Sequence, residues 1–267
     1  MYHKLNKLDT IRKKFILGNL KMFNFTKKVM LSSLLLGAVL NADYKEIPKN
    51  EIAQMEQLEL FKRAQIKIVK AFDAGSVYIL NINVQGNPDE IYLTKDKKMV
   101  IAGEVEVIDV SDGMKITAPA DVALLKGKEA FTFGKGTDEY FLFTDPECKY
   151  CKMLESHLPK IQDKVKIRVF YYPLDSHTNA RDLSLYILSQ KSNDKKVSAM
   201  FDSSNILDKA KNAKYTKEEQ EKLEKQLDEQ IQIGMSLNVQ GTPTLFDKDG
   251  KNIIWVNLLE KYGIQVQ

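Results

Sequence analysis

The sequence predicts a mixed α and β protein in two parts: a small helix-plus-antiparallel-sheet unit, then an α/β unit with parallel strand pairing. Three observations predict it. β-rich runs separated by turn signals fill residues 65–113. A strand–helix–strand succession over 140–172 calls for parallel pairing, because a crossover helix brings the chain back to the same end of the sheet. The two cysteines of the 267-residue chain, Cys148 and Cys151, stand three apart at the start of that crossover helix.

The first 42 residues read as a leader. Lys27 and Lys28 precede an apolar run of 12, Val29–Leu40, and Leu40-Asn41-Ala42 offers a plausible cleavage site. A comfortable membrane span needs ~20 residues, so removal is favoured over an uncleaved anchor. Met22 is an alternative start. The leader carries eight Lys and Arg against one acid; the remainder holds 32 basic and 35 acidic residues, a net of −3. The basic balance of the whole chain (+4) therefore belongs to the leader, which removes the argument for a nucleic-acid partner. Hydrophobic content of 43% supports a core without a disulfide scaffold. An exported chain enters an oxidising compartment.

Residues 48–63 (PKNEIAQMEQLELFKR) carry apolar positions at helical spacing behind Pro48 and predict one helix. Strands are expected at 65–72, 77–84, 90–94 and 99–110, with turns at Gln85-Gly86-Asn87-Pro88, Lys95-Asp96-Lys97 and Asp112-Gly113. These elements set a first domain at 43–113. Residues 114–136 read as a linker with a short helix at Pro119–Lys126, and the second domain occupies 137–267. Tyr140–Phe143 is an apolar strand, 147–158 a helix with Cys151, Leu154 and Leu158 on one stripe, and Val165–Tyr172 a second strand. A long helical stretch from 179 to 237 breaks near 191–194 and 212–216. Thr216-Lys-Glu-Glu219 is a capping box for its last helix. Thr244–Asp247 and Asn252–Val256 read as a hairpin, followed by a terminal helix.

The cysteines carry the chemistry. In FTDPECKYCKML (143–154), Asp145-Pro146 interrupts the strand and places Cys148 at the first helical turn. Unpaired amides and the helix dipole stabilise an anion there, which lowers a thiol pKa and activates it. Lys149 adds positive charge and Tyr150 an aromatic edge. Cys151 lies one turn in, on the core stripe, shielded and ready to resolve a mixed disulfide. The expectation is an acidic, exposed Cys148 with Cys151 hidden behind it. Zinc would need four ligands; outside the leader only His157 and His177 remain, so no metal is expected. A structural disulfide across so short a loop gains little closure entropy. His157 reads as a helix-surface residue and His177 as loop. Gly241-Thr242-Pro243-Thr244 is the second informative stretch, a proline just ahead of a strand.

These residues resemble the periplasmic DsbC/DsbG family of thiol–disulfide interchange proteins. Phe143-Thr-Asp-Pro-Glu-Cys-Lys-Tyr-Cys-Lys152 is close to the family's F-[TA]-D-x-x-C-x-Y-C run, and Val239-Gln-Gly-Thr-Pro-Thr244 is similar to its V-x-G-T-P loop. Ile68–Asp73 and Ile91–Gly103 resemble its N-terminal dimerisation domain. The resemblance covers roughly residues 65–265. It implies a thioredoxin-like catalytic domain with a helical insertion, preceded by a small cystatin-like α+β domain that joins two copies into a homodimer. It implies that Cys148 attacks, Cys151 resolves, Pro243 is cis and packs on the C-x-x-C, and Thr242 offers its backbone to an extended substrate peptide. It implies a periplasmic disulfide isomerase or reductase with no cofactor, acting on unfolded or misoxidised secreted proteins and recycled by a membrane thiol-redox partner. The chain lacks the cysteines for the second, structural disulfide of some relatives, and its linker is short. Two other functions remain open: a dithiol oxidase using the same residues, and a holdase chaperone in which redox chemistry is secondary.

Overall fold

The computed structural model describes residues 44–266 except 104, 111 and 112; the leader reading falls outside the described residues. The first sheet is an antiparallel meander in the order β1 (Lys45–Glu46), β2 (Ile66–Asp73), β3 (Val77–Val84), β4 (Asn87–Thr94), β5 (Val100–Ile101). Strands β3 and β4 pair over their full length, Val84 facing Asn87. The two residues between them, Gln85 and Gly86, both have positive φ (52° and 94°), which a tight primed turn demands and which glycine adopts without strain.

Alternation along β3 buries both faces. Leu80 and Ile82 join Met55, Phe61, Ile68, Ile91 and Leu93 beneath the helices. Val77 and Ile79 point the other way, to Phe72, Tyr92 and Ile116. The helix expected over 48–63 is two: α1 (Lys49–Met55) and α2 (Glu59–Arg63). Leu58 is extended, and the Glu56 carboxylate accepts the Ile68 amide at 2.9 Å. The break has a packing reason. In one straight helix, Met55 and Phe61 would be about 120° apart around the axis. Bent, both enter the same core. The strand expected over 99–110 shrinks to β5. Gly103 turns the chain away at φ 89°, and Ile108 returns only an isolated bridge to Lys115.

The second sheet runs β10 (Asn252–Ile253), β9 (Thr244–Asp247), β7 (Asp138–Thr144), β8 (Val165–Tyr171), β6 (Phe131–Phe133). Strands β7 and β8 are parallel; the other pairs are antiparallel. Strand β6 lies inside the stretch read as linker. Its three residues alternate in burial and pair with β8, too short a pattern to stand out in sequence. The short helix expected at 119–126 is a 3₁₀ turn at Val122–Leu125, capped by Asp121. Central β7 is covered on both faces, which explains its unbroken apolar run. Leu142 faces a core with Leu154 of α3 (Lys149–His157) and Leu158 of the 3₁₀ turn that follows it, while Phe141 and Phe143 face Leu125, Phe170, Val239 and Phe246.

Four helices separate β8 from β9: α4 (Ala180–Leu188), α5 (Asn193–Phe201), α6 (Leu207–Lys211) and α7 (Lys217–Ser236). The breaks near 191 and 212–216 fall as expected. A third, at 202–206, was missed; there Asp202 accepts from the Asn205 side chain in a local turn at 2.7 Å. The Thr216–Glu219 capping box is present in both directions. Near the end of α7, Gly234 permits a close approach: a Cβ there would lie 2.6 Å from the Tyr172 ring. The hairpin's second strand is only Asn252–Ile253, because Trp255 already begins α8 (Trp255–Lys261). Among the described residues no helix is long and apolar enough to cross a membrane.

Candidate active site

Strand β7 ends at Thr144, and Pro146 bars the preceding residue from helix. Asp145 then builds the turn. Its Oδ1 accepts the amides of Glu147 at 2.7 Å and Cys148 at 3.2 Å. Cys148 is the N-cap of α3, extended at φ −69° and ψ 125°, and its carbonyl accepts the Lys152 amide. It thus stands one step ahead of the helical turn expected for it, with the first free amides beyond it.

Both thiols are reduced. The Cys148 thiol donates to the Thr242 carbonyl oxygen at 3.3 Å, which brings the Thr242-Pro243 loop over the helix start. The Thr242–Pro243 peptide is cis. Cys151 is fully buried, and its Sγ accepts the Asp145 amide at 3.4 Å. Cys148 is only 5% exposed, so the exposed sulfur expected from sequence is a nearly covered one; the Thr242 contact covers it. Lys149 and Tyr150 are exposed on the first turn, Tyr150 at 59%.

The two thiols are polarised in opposite directions. Cys148 is lowered to about 5, first by the hydrogen bond from the Cys151 thiol, against the opposing effect of burial, and then by the Cys151 amide, the Thr242 side chain and the Tyr150 amide. Cys151 is pushed far up, by burial first and then by its bond to Cys148. The neighbouring thiol leads, ahead of the helix-end amides emphasised in the sequence argument. The Thr242 hydroxyl oxygen is buried without a hydrogen-bond partner while Cys148 is a thiol. It becomes a donor once the sulfur is an anion.

Four further residues enter the site without having been singled out as functional. Glu155, one turn past Cys151, is 3% exposed and accepts from the Thr144 hydroxyl at 2.8 Å. Burial raises its carboxyl to about 7. The Tyr171 hydroxyl is buried without a partner, and its pKa is raised, by burial first and then by Glu155 and Cys151. Asp145 is fully buried, and its Oδ2 lies 2.8 Å from His177 Nδ1. A signal for Glu155 existed: it shares the Cys151–Leu154–Leu158 stripe, where an acid is out of place. His177 does lie in a loop, as read, and nothing local marks its partner 32 residues away. His157, half-buried, contacts Lys160 Nζ at 3.1 Å, consistent with a place on the helix surface. Among the described residues no cluster of three or more His, Cys, Asp or Glu could hold a metal.

Residues 134–257 match the family model described as a thioredoxin-like domain. The "Probable thiol:disulfide interchange protein DsbC" of Bordetella avium (strain 197N) is 30% identical over 183 residues, covering 62% of this chain. The chain spans 58% of that relative's length. Among solved structures, α-DsbA2 of Wolbachia pipientis overlaps 53% of this chain and 88% of its own at 17% identity and a TM-score of 0.41. Helicobacter pylori DsbG overlaps 75% of this chain and 100% of its own at 13% identity and a TM-score of 0.37. Residues 134–257 thus match a thioredoxin-like domain, in a chain similar over 183 residues to a probable DsbC.

Proposed function

We propose that the protein catalyses thiol–disulfide interchange, with Cys148 as the attacking thiol and Cys151 as the resolving one. One observation carries this: two reduced thiols a helical turn apart, one acidic at about 5 and the other pushed far up. At neutral pH the first is a thiolate and the second keeps its proton. The Cys148 thiolate attacks a substrate disulfide, forms a mixed disulfide and releases one substrate thiolate. Cys151 then loses its proton and attacks Cys148 Sγ. The product is the Cys148–Cys151 disulfide plus the second substrate thiolate, with two electrons passed to the substrate. In isomerisation a different substrate thiolate attacks instead, and Cys148 leaves with no net electron transfer. Its low pKa makes it a good leaving group.

The similarity to a DsbC favours isomerase or reductase as the working direction. On this reading the protein is periplasmic, dimerises through the first sheet's domain, and handles misoxidised secreted chains. Thr242 and Pro243 then dock an extended peptide once Cys148 has ionised and released the Thr242 carbonyl. Lys149 and Tyr150 flank that peptide, and a membrane thiol-redox partner returns electrons. A second reading, dithiol oxidase, is favoured by the acidity of Cys148, because stabilising the reduced form makes the disulfide a stronger oxidant.

Insulin reduction and reactivation of a scrambled-disulfide substrate test the reading, with Cys148→Ala as control. Activity in both that vanishes in the variant supports it; substrate recovery unaffected by the loss of Cys148 leaves only a holdase. The equilibrium reduction potential separates isomerase from oxidase.

A further inference from the structure

The loop after β8 is laced to the active-site turn by two carboxylates. Asp145 uses both oxygens: Oδ1 for the amides of Glu147 and Cys148, Oδ2 for the Leu174 amide at 2.8 Å and for His177 Nδ1 at 2.8 Å. Glu147 accepts the Asn179 amide and its side-chain Nδ2, each at 2.8 Å. A carboxylate with no solvent exposure needs several donors or an opposite charge. Asp145 has three amides and one ionisable partner, His177, whose side chain is 26% exposed. A carboxylate only accepts, so Nδ1 carries the proton in this contact.

We infer that His177 is a positioning residue for Cys148: through Asp145 its imidazolium braces the turn that holds the Cys148 amide, and its charge is coupled to that of the Cys148 thiolate. The inference deepens the interchange reading above and rests on it. The charged groups that bear on His177 are Asp145 and Glu147 from the turn and Cys148 from the start of α3. Lys152 of α3 acts on Glu147 and Glu155, and Asp175 lies two residues earlier in the loop. His177 is raised above its ordinary value, first by the Asp145 hydrogen bond and then, against burial, by Asp145 and Cys148 charge.

Coupling between two sites is reciprocal. If the thiolate holds the imidazolium, oxidation of Cys148 must loosen it. The test is an NMR pH titration of the His177 ring proton in the reduced and disulfide forms of the full chain, assigned with His177→Gln. The pH profile of Cys148 alkylation by iodoacetamide is measured alongside for wild type, His177→Gln and His177→Lys. His177 should titrate at higher pH in the reduced form. His177→Gln should slow alkylation near pH 5 by about threefold to tenfold, the size of one charge pair in a partly solvated site, with much less effect at pH 8. His177→Lys should recover part of the loss. Identical His177 titration in both redox forms overturns the inference, and so does a slowing by one factor at every pH, which would mark a merely structural role. Should His177→Gln not fold, the wild-type redox comparison decides alone, its ring signals assigned by elimination with His157→Gln and His3→Gln. Neither readout needs turnover, so wild type failing to reduce insulin would sink the interchange reading separately.

Discussion

The Cys148 thiol and the Thr242 carbonyl oxygen meet at 3.3 Å across 94 residues of sequence. This contact occupies the sulfur's hydrogen while it is a thiol and must break when the sulfur ionises. The Thr242 hydroxyl, buried and unpartnered in the thiol form, is then positioned to donate. Thr242→Val keeps the shape and removes the hydroxyl. An unpaired buried hydroxyl costs about 1–3 kcal/mol, so below pH 5, where Cys148 is a thiol, the reduced variant should resist urea better than wild type. Its Cys148 should alkylate more slowly near pH 5. A variant that is less stable and no slower would contradict this account.

Cys151 is the first cause of the acidity of Cys148. Cys151→Ser keeps a donor but a different one, whereas Cys151→Ala removes it. Alkylation of Cys148 should need a higher pH in Cys151→Ala than in wild type. Both variants should accumulate mixed disulfides with substrate, visible on non-reducing gels, and Cys148→Ser should accumulate none.

Glu155 sets a pH dependence whose sign is fixed. Its folded pKa, about 7, lies above the ordinary 4.5. The folded state therefore binds more protons than the unfolded chain between those values. Stability is fully present below 4.5 and is lost as pH rises through 7, by roughly 3 kcal/mol at most. Cys148, shifted downward, contributes with the opposite sign above pH 5 in the reduced protein. The measurement is therefore made in a Cys148→Ser background, as urea midpoints at pH 5 and pH 8. Glu155→Gln should shrink the fall between the two. An unchanged fall would show that this carboxyl is not the source.

Gly234 tests packing against helix propensity. Alanine is favoured over glycine inside a helix by about 1 kcal/mol. Here its Cβ would lie 2.6–2.7 Å from the Tyr172 ring, which packs edge-on against Phe143. Overpacking costs about 1–3 kcal/mol, so Gly234→Ala should be net destabilising in urea despite the propensity gain.

Much of this was legible in the chain. Strand β3 was readable because alternation and turn residues agree, and α7 because Thr216 and Glu219 form a reciprocal cap. The C-x-x-C and the Thr-Pro loop announced themselves as unusual residues at meaningful spacing. What stayed hidden depends on distance in sequence. The bend between α1 and α2 follows from a core that wants both Met55 and Phe61, which local periodicity does not reveal. Strand β6 exists because β8 offers it an edge. His177 matters through Asp145, and no spacing rule joins a loop residue to a turn on another strand.

The four-helix insertion between β8 and β9 also sets an order of events. A ribosome releases Cys148 and Cys151 well before it reaches Thr242, and at about 5–20 residues per second the 94-residue gap lasts roughly 5–20 s. For that interval the nascent polypeptide carries the thiol pair without the loop that covers it, and the cover over Cys148 is completed only when the C-terminal strands arrive.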